Sequence, residues 1–520
     1  MVNFAHLKSG SKGGLTGPKS YFRCAPNTGH CRPTRLVRFV PIVLKNSVLK
    51  PTVIADSFRP VGWEIESMMG PRQVDQAPLF YEFSLERHVP AAHLLRAIDR
   101  FVDLSDVRSH LAPFYSSTGR PSIDPELLIR MLLVGYCFGI RSERRLCEEV
   151  HLNLAYRWFC RLGLDGEVPD HSTFSKNRHG RFRDCDLLRK LFETVVRRCM
   201  AEGLVEGTAF AVDASLIAAD ANKQRSAAGS DEVDWDAIAR TRRSVREYLD
   251  TLDEAAWGAA SETVPKFISR SDPAAQWTGA HKGHAFFAYA DNYLIDLKAA
   301  IIVDVEATRA IRQAEVGAAR TMIERTEERL GLCPERLAAD SAYGSAEMLG
   351  WLVNEHAIEP HIPVFDKSAR DDGTFSREDF AYDQEHDLYV CPAGKVLMST
   401  GTLVNDGTTL HYRASKYDCD ACELKPRCCP KMPARKVPRS IHEQARDVAR
   451  DIAKTEIYVT SRRERKKIEM LFAHLKRILR LDRLRLRGPF GARDEFLLAA
   501  TAQNLRKLAK LILPPAMKLA

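Results

Sequence analysis

Residues 208–219 read TAFAVDASLIAA, small and β-branched apolar side chains broken by one carboxylate, Asp213. Upstream, apolar positions recur every three or four residues. Here they recur every two, so the chain changes from helix to strand. The stretch reads as a buried strand ending in Asp213. Taken alone, that aspartate is as readily a turn residue as a functional one, and the rest of the chain has to separate the two.

Downstream the pattern continues in order. After a polar excursion from Asn222 to about Gly283, AFFAYADNYLID (285–296) and AAIIVDVEAT (299–308) read as two more strands. An amphipathic helix over 309–331 comes next. RLAADSAYG (336–344) is a fourth strand ending at Asp340, a short helix spans 346–356, and IEPHIPV (358–364) is a fifth strand. The order β-β-β-α-β-α-β, with an aspartate ending the first strand and another ending the fourth, is the RNase H-like arrangement. There the first and fourth strands lie side by side, which brings Asp213 and Asp340 together. Asp340 also has a plain reading, as a cap for the next helix. Asp296 and Asp304 end apolar runs too, but on the second and third strands, away from that edge.

The third acid comes from residues 461–488, SRRERKKIEMLFAHLKRILRLDRLRLRG. At helical period Ile468, Leu471, Phe472, Leu475, Ile478, Leu479 and Leu481 form an apolar stripe. Arg462, Arg465, Lys466, Lys476, Arg477 and Arg480 form a cationic face, and Glu469 is a lone carboxylate within it. Its plain reading is an i,i+4 ion pair with Arg465. Its sharper reading is a metal ligand on a helix that crosses the sheet edge and grips nucleic acid. Three hard oxygen donors there suit Mg²⁺ or Mn²⁺. Two such ions about 4 Å apart serve in-line phosphoryl transfer.

Ahead of the strands, residues 85–202 are patterned as helices. Asp124-Pro125 is an N-cap followed by proline at the first helical position. Ser142 caps a second helix, and a tight 139–141 link allows a helix-turn-helix presenting Arg144 and Arg145 to DNA. A plain helical bundle fits the same spacing. Residues 1–67 carry ten Lys/Arg and no sustained periodicity, and read as weakly structured or as a non-native extension, with a natural start near Met68. Cys24, His30 and Cys31 make a poor metal motif.

Four stretches together resemble the bacterial insertion-sequence transposases with a DDE triad, of the IS-four/IS-five superfamily. They are GRPSIDPELLIRMLLVGYCFGIRSERRLCEEV with the following PDHSTFSKNR, then VDASLIAADAN, ADSAYGS, and RRERKKIEMLFAHLKRILRLDRLRLRG. The final helix in that group often reads Tyr-x2-Arg-x3-Glu-x6-Lys. Arg465, Glu469 and Lys476 fall at those spacings, while Arg462 stands in place of the tyrosine. The resemblance implies that Asp213, Asp340 and Glu469 bind the catalytic metal and that Arg465 and Lys476 hold phosphates. It also implies cleavage at the ends of an element, then attack of the freed 3′-hydroxyl on target DNA. The expected partners are duplex DNA, as terminal inverted repeats and target, and a second copy of the chain. A catalytically inactive, repressor-like relative is the alternative.

The expected organisation is therefore a helical DNA-binding region (68–205), an RNase H-like core with a mixed five-stranded sheet (206–365 and 447–520), and a Cys-rich insertion (366–446). Within the insertion, Cys391, then Cys419-x2-Cys422 and Cys428-Cys429, resemble a zinc ribbon. Cys391, Cys419, Cys422 and Cys428 are the expected ligands: adjacent residues on an extended chain point opposite ways, so only one of Cys428 and Cys429 binds, and Cys428 is preferred because Pro430 stiffens the exit just after Cys429. Reduced surface thiols are the plain alternative. The formal charge of +9 is concentrated in the C-terminal helix and a few patches, as phosphate contact requires. No run of 18 apolar residues and no apolar leader are present, so the expectation is a cytoplasmic, DNA-associated protein without a membrane segment.

Overall fold

The computed structural model describes residues 83–513 apart from 117, 119–121, 262, 280–282 and 366–371. The expectations for residues 1–67, Cys24, His30, Cys31 and the start at Met68 lie outside the described residues.

The helical region is anchored by α1 (Pro125–Phe138), buried along most of its length. The Asp124 side chain accepts from the Glu126 N–H, and the helix stops at Gly139, whose φ is +68°. A side chain at Gly139 would be strained by that φ and would also meet the Ile478 carbonyl at 3.0 Å. α2 (Glu143–Leu152), capped by Ser142, and α3 (Leu154–Phe159) come next, and then α4 (Leu187–Ala201).

The central sheet begins with β1 (Ala209–Ala218), which continues five residues beyond Asp213 instead of ending there. β2 (Phe286–Asp296) and β3 (Ile301–Arg309) run antiparallel to their neighbours, and α5 (Arg312–Leu330) leads to β4 (Arg336–Ala338). α6 (Ala346–Gly350) leads to β5 (Glu359–His361), and β1, β4 and β5 are mutually parallel. In space the order is β3-β2-β1-β4-β5. A sixth short strand, Gln276–Thr278, contributed by the polar excursion, pairs with the start of β2. β2 is buried at every position after the first, the mark of a strand covered on both faces.

A separate antiparallel meander comes after the central sheet: β6 (Ala381–Asp383), β7 (Leu388–Val390), β8 (Val396–Val404), β9 (Thr409–Ala414) and β10 (Lys436–Ser440). It packs its own small core around Phe380, Tyr389, Leu397 and Tyr412. α7 (Glu443–Ile452) returns the chain to the main core, with α8 (Glu456–Arg477) and α9 (Pro489–Leu511) after it.

α8 starts and stops earlier than the apolar stripe suggests. Arg480 takes a left-handed backbone (φ 55°), so the period is lost after Arg477 and Ile478 is 51% exposed. Leu479, Leu481 and Leu484 are buried beyond the helix end. No helix among the described residues is long and apolar enough to cross a membrane.

Candidate active site

The register between β1 and β4 runs Ala209↔Arg336, Phe210↔Leu337, Ala211↔Ala338. Continued two residues past its last pair, that register leads to Asp213 and Asp340, near enough for the charge of Asp340 to act on Asp213. Asp340 lies just past its strand, where its Oδ1 accepts from the Ala342 N–H at 2.7 Å and caps a 3₁₀ turn over Ser341–Tyr343. Asp213 Oδ1 accepts from the Ala214 N–H at 2.8 Å.

α8 packs across this pair. Arg465 lies 3.3 Å from Asp213 Oδ2 through Nη1 and 3.4 Å from Glu469 Oε1 through Nη2. The i,i+4 pair therefore forms, and the same guanidinium also reaches the strand. Asp213 is largely buried, whereas Glu469 is 54% exposed. Burial pushes the Asp213 carboxyl up to about 6, and the charges of Asp340 and Glu469 add to the rise. The Ala214 N–H and Arg465 oppose it.

A fourth acid joins them. Glu315, in the first turn of α5, is pushed up to about 7, first by burial and then by Asp213 and Asp340. Arg312, one turn earlier, pins this helix end by donating to the Ser341 and Ala342 carbonyls at 2.8–3.0 Å. The Tyr343 hydroxyl nearby is buried with no hydrogen-bond partner, and burial and the same three carboxylates raise it. Sequence reading missed Glu315 because an acid in a first helical turn is the ordinary complement to the helix dipole.

The rival aspartates are occupied elsewhere. Burial alone would raise Asp304, but Arg189 at 2.5 Å and Arg325 at 2.7 Å overcome it and hold the carboxyl low. Asp296 accepts from the N–H groups of Glu206, Gly207 and Lys298. Asp291, opposite Ser215 on β2, is fully buried, and burial raises it well above the usual carboxylate range. The polar residue at the centre of an otherwise buried strand was its only signal.

The cationic residues divide into two groups. Arg462, Lys466 and Arg480 are exposed and have no ion-pair partner among the described residues. Lys476 is half-buried, and burial lowers its pKa while Asp291 and Asp482 oppose the shift. In the helical region Arg145 pairs with Glu149 at 3.0 Å, and Arg144 lines a groove of about 340 Å³ with Arg141, Arg178 and Arg485.

Five thiols, Cys391, Cys419, Cys422, Cys428 and Cys429, line one cavity of about 20 Å³ in the meander. Cys428 ends a short helical turn and is not on extended chain, so Cys428 and Cys429 both face the cavity. At neither place, among the described residues, does a set of three or more His, Cys, Asp or Glu side chains stand at metal-ligating spacing.

The structure is thus a mixed α/β protein with a helical region ahead of a sheet that brings acids under a cationic helix. Two family models match the chain: "Transposase domain (DUF772)" over residues 83–180 and "Transposase DDE domain" over residues 390–509. Both matches support a DDE-type insertion-sequence transposase. The second matched segment contains Glu469 and the thiol cluster, while Asp213 and Asp340 lie between the two. Among solved structures the chain is similar to a piggyBac transposase synaptic complex with hairpin DNA, at 10% identity and a TM-score of 0.31, over 82% of this chain and 83% of that one. At that score the likeness carries no argument about this chain.

Proposed function

We propose that this transposase carries out metal-dependent phosphoryl transfer on DNA, cutting at the ends of its element and joining the freed 3′-hydroxyl to target DNA. The observation that carries the reading is the parallel β1–β4 register, which leads to Asp213 and Asp340 beneath Arg465 and Glu469. The order β3-β2-β1-β4-β5, with β2 alone reversed, supports an RNase H-like core.

The donor type fits a hard divalent cation: the acids gathered around Asp213 are carboxylates, and burial and mutual repulsion raise two of them. Mg²⁺ or Mn²⁺, when bound, supplies Lewis acidity to the phosphate and to the attacking oxygen. Asp213, Asp340 and Glu469 are the residues that would hold it. Arg465 supplies the local positive charge in this structure, so it has to swing away from Asp213 before it can take a phosphate. Arg462, Lys466 and Arg480 present free cations towards solvent, where a DNA backbone would run. Arg144 and Arg145 extend this cationic set within the helical region. A second ion, zinc, is proposed for the thiol cluster, as a structural staple apart from the chemistry.

The test uses Asp213→Asn and Glu469→Gln. Each should abolish nicking of the element's end in Mg²⁺ while leaving end binding nearly intact. Nicking by either variant overturns this active site. A wild-type chain that binds the ends and never nicks them favours the DNA-binding, repressor-like alternative.

A further inference from the structure

A cleft lies further along β1 from the carboxylates. Ala218 donates its N–H to the Asp482 carbonyl at 3.2 Å and accepts from the Leu484 N–H at 2.7 Å, so the strand is bonded to the chain leaving α8. Just beyond, Asp220 is held by Arg483 at 2.9 Å and by Arg487 at 2.8 Å. Around this clamp opens a cavity of about 610 Å³ whose charged lining is Asp220 and five arginines: 225, 242, 270, 483 and 487. The side chains of Arg225, Arg242 and Arg270 are exposed and have no hydrogen-bond, ion-pair or ring partner among the described residues.

One acid against five arginines leaves a surplus of four positive charges over the lining. Unpaired guanidiniums that share a concave surface repel one another and focus the field outward, which favours a multivalent anion. Ala221 is the one apolar residue among those lining the cavity, and its remaining apolar surface is the stems of polar and charged side chains. Guanidinium forks match phosphate oxygens in geometry. Five residues of strand separate Asp213 from Ala218, about 17 Å at roughly 3.3 Å per residue. On a duplex, that distance is about five base pairs at 3.4 Å each.

We infer that this cleft is a phosphate-backbone site for duplex DNA, engaging it about five base pairs from the phosphate held at the carboxylates. The inference rests on the DNA-cutting reading above and adds a contact surface to it. Arg483 and Arg487, fixed by Asp220, form the rigid floor. Arg225, Arg242 and Arg270 are the arms, supplied by the excursion between β1 and β2.

The experiment measures binding of a duplex carrying the element's end against salt concentration, for wild type and for Arg225→Gln/Arg242→Gln/Arg270→Gln. The triple variant should melt like wild type, bind duplex more weakly whatever its sequence, and show a log K against log salt slope shallower by about two to three units. If the triple variant loses its melting transition, the three single substitutions replace it, each expected to cost about one unit. Wild-type protein with no affinity for duplex DNA overturns the DNA reading before any variant is made. Wild-type binding with an unchanged slope in the variants overturns the cleft alone. So does a loss confined to single strands.

Discussion

At the scale of single residues, the acid cluster is a place where folding opposes ionisation. Asp213 and Glu315 are raised to about 6 and about 7, chiefly by burial. A carboxyl raised in the folded state binds its proton more tightly there than in the unfolded chain. Stability from such a group is present below its unfolded pKa near 4 and is lost as pH rises through the folded value. Other buried acids, Asp272 among them, contribute in the same direction, so the informative quantity is a difference between proteins. Glu315→Gln should raise the metal-free Tm, by an amount that grows from pH 5 to pH 8. Mg²⁺ or Mn²⁺ should recover more Tm in wild type at pH 8 than at pH 5. Parallel Tm-versus-pH curves for the two proteins would remove Glu315 from the cluster. Much of this cluster was legible in the sequence, because Asp213, Asp340 and Glu469 sit where strand or helix periodicity is easy to read. Glu315 and Asp291 were not, since their roles come from what packs on them.

At the scale of elements, local pattern carried far. The strand order follows from alternation and turn residues, and the 499–513 stretch reads as a helix that packs on the core. What pattern could not show is where α8 stops or how α9 closes the sheet. α9 is buried even at polar positions, and several of those side chains reach partners on other elements. Gln503 donates to the Leu471 carbonyl at 2.8 Å. Glu495 accepts from the Arg485 and Leu486 N–H groups, both at 2.6 Å. Asn504 does the most. Its Oδ1 accepts from the Ile302 N–H at 3.0 Å, and its Nδ2 donates to the Ile302 carbonyl at 2.8 Å. This amide completes the edge of β3 as another strand would, beside the register shift at Leu294/Ile295. Asn504→Ala would leave two buried backbone groups without partners, each costing about 1–3 kcal/mol. The expected loss in urea unfolding is therefore about 2–6 kcal/mol, with the m-value unchanged. A change under about 0.5 kcal/mol would mean that water or a neighbour satisfies Ile302 instead.

At the scale of the whole molecule, the described residues divide into a large core and a small one. The small core, around Phe380, Tyr389, Leu397 and Tyr412, is separate from the main cluster and includes Cys419 and Cys429 as buried members. A sheet of this size buries little apolar surface, and small units of that kind usually need a staple. The zinc proposed for the thiol cluster would provide one. Cys391 lies in a tight turn closed at Gly394 (φ +73°), where the Lys395 N–H points at the Cys391 sulfur at 3.3 Å. An N–H aimed at sulfur stabilises a thiolate, the form that binds metal. Cys419 lies in a short helix (Lys416–Asp420) and Cys422 just past its end, and the Cys429 thiol sits beside those of Cys419 and Cys428, its own ionisation pushed up to about 12 by burial and those neighbours. Metal binding takes thiols as thiolates, and thiolates select Zn²⁺ over Mg²⁺. In the proposed site Cys391, Cys419 and Cys422 are the fixed ligands. The fourth is open between Cys428, the one read from the sequence, and Cys429, since both face the cavity. Protein purified without chelator should carry close to one zinc per chain. Cys419→Ser/Cys422→Ser should lose it, and with it the thermal stability of the meander. Cys428→Ser and Cys429→Ser should differ, one keeping the metal and the other losing it. Folded wild-type protein free of zinc, with all five thiols open to titration, would make them ordinary reduced cysteines.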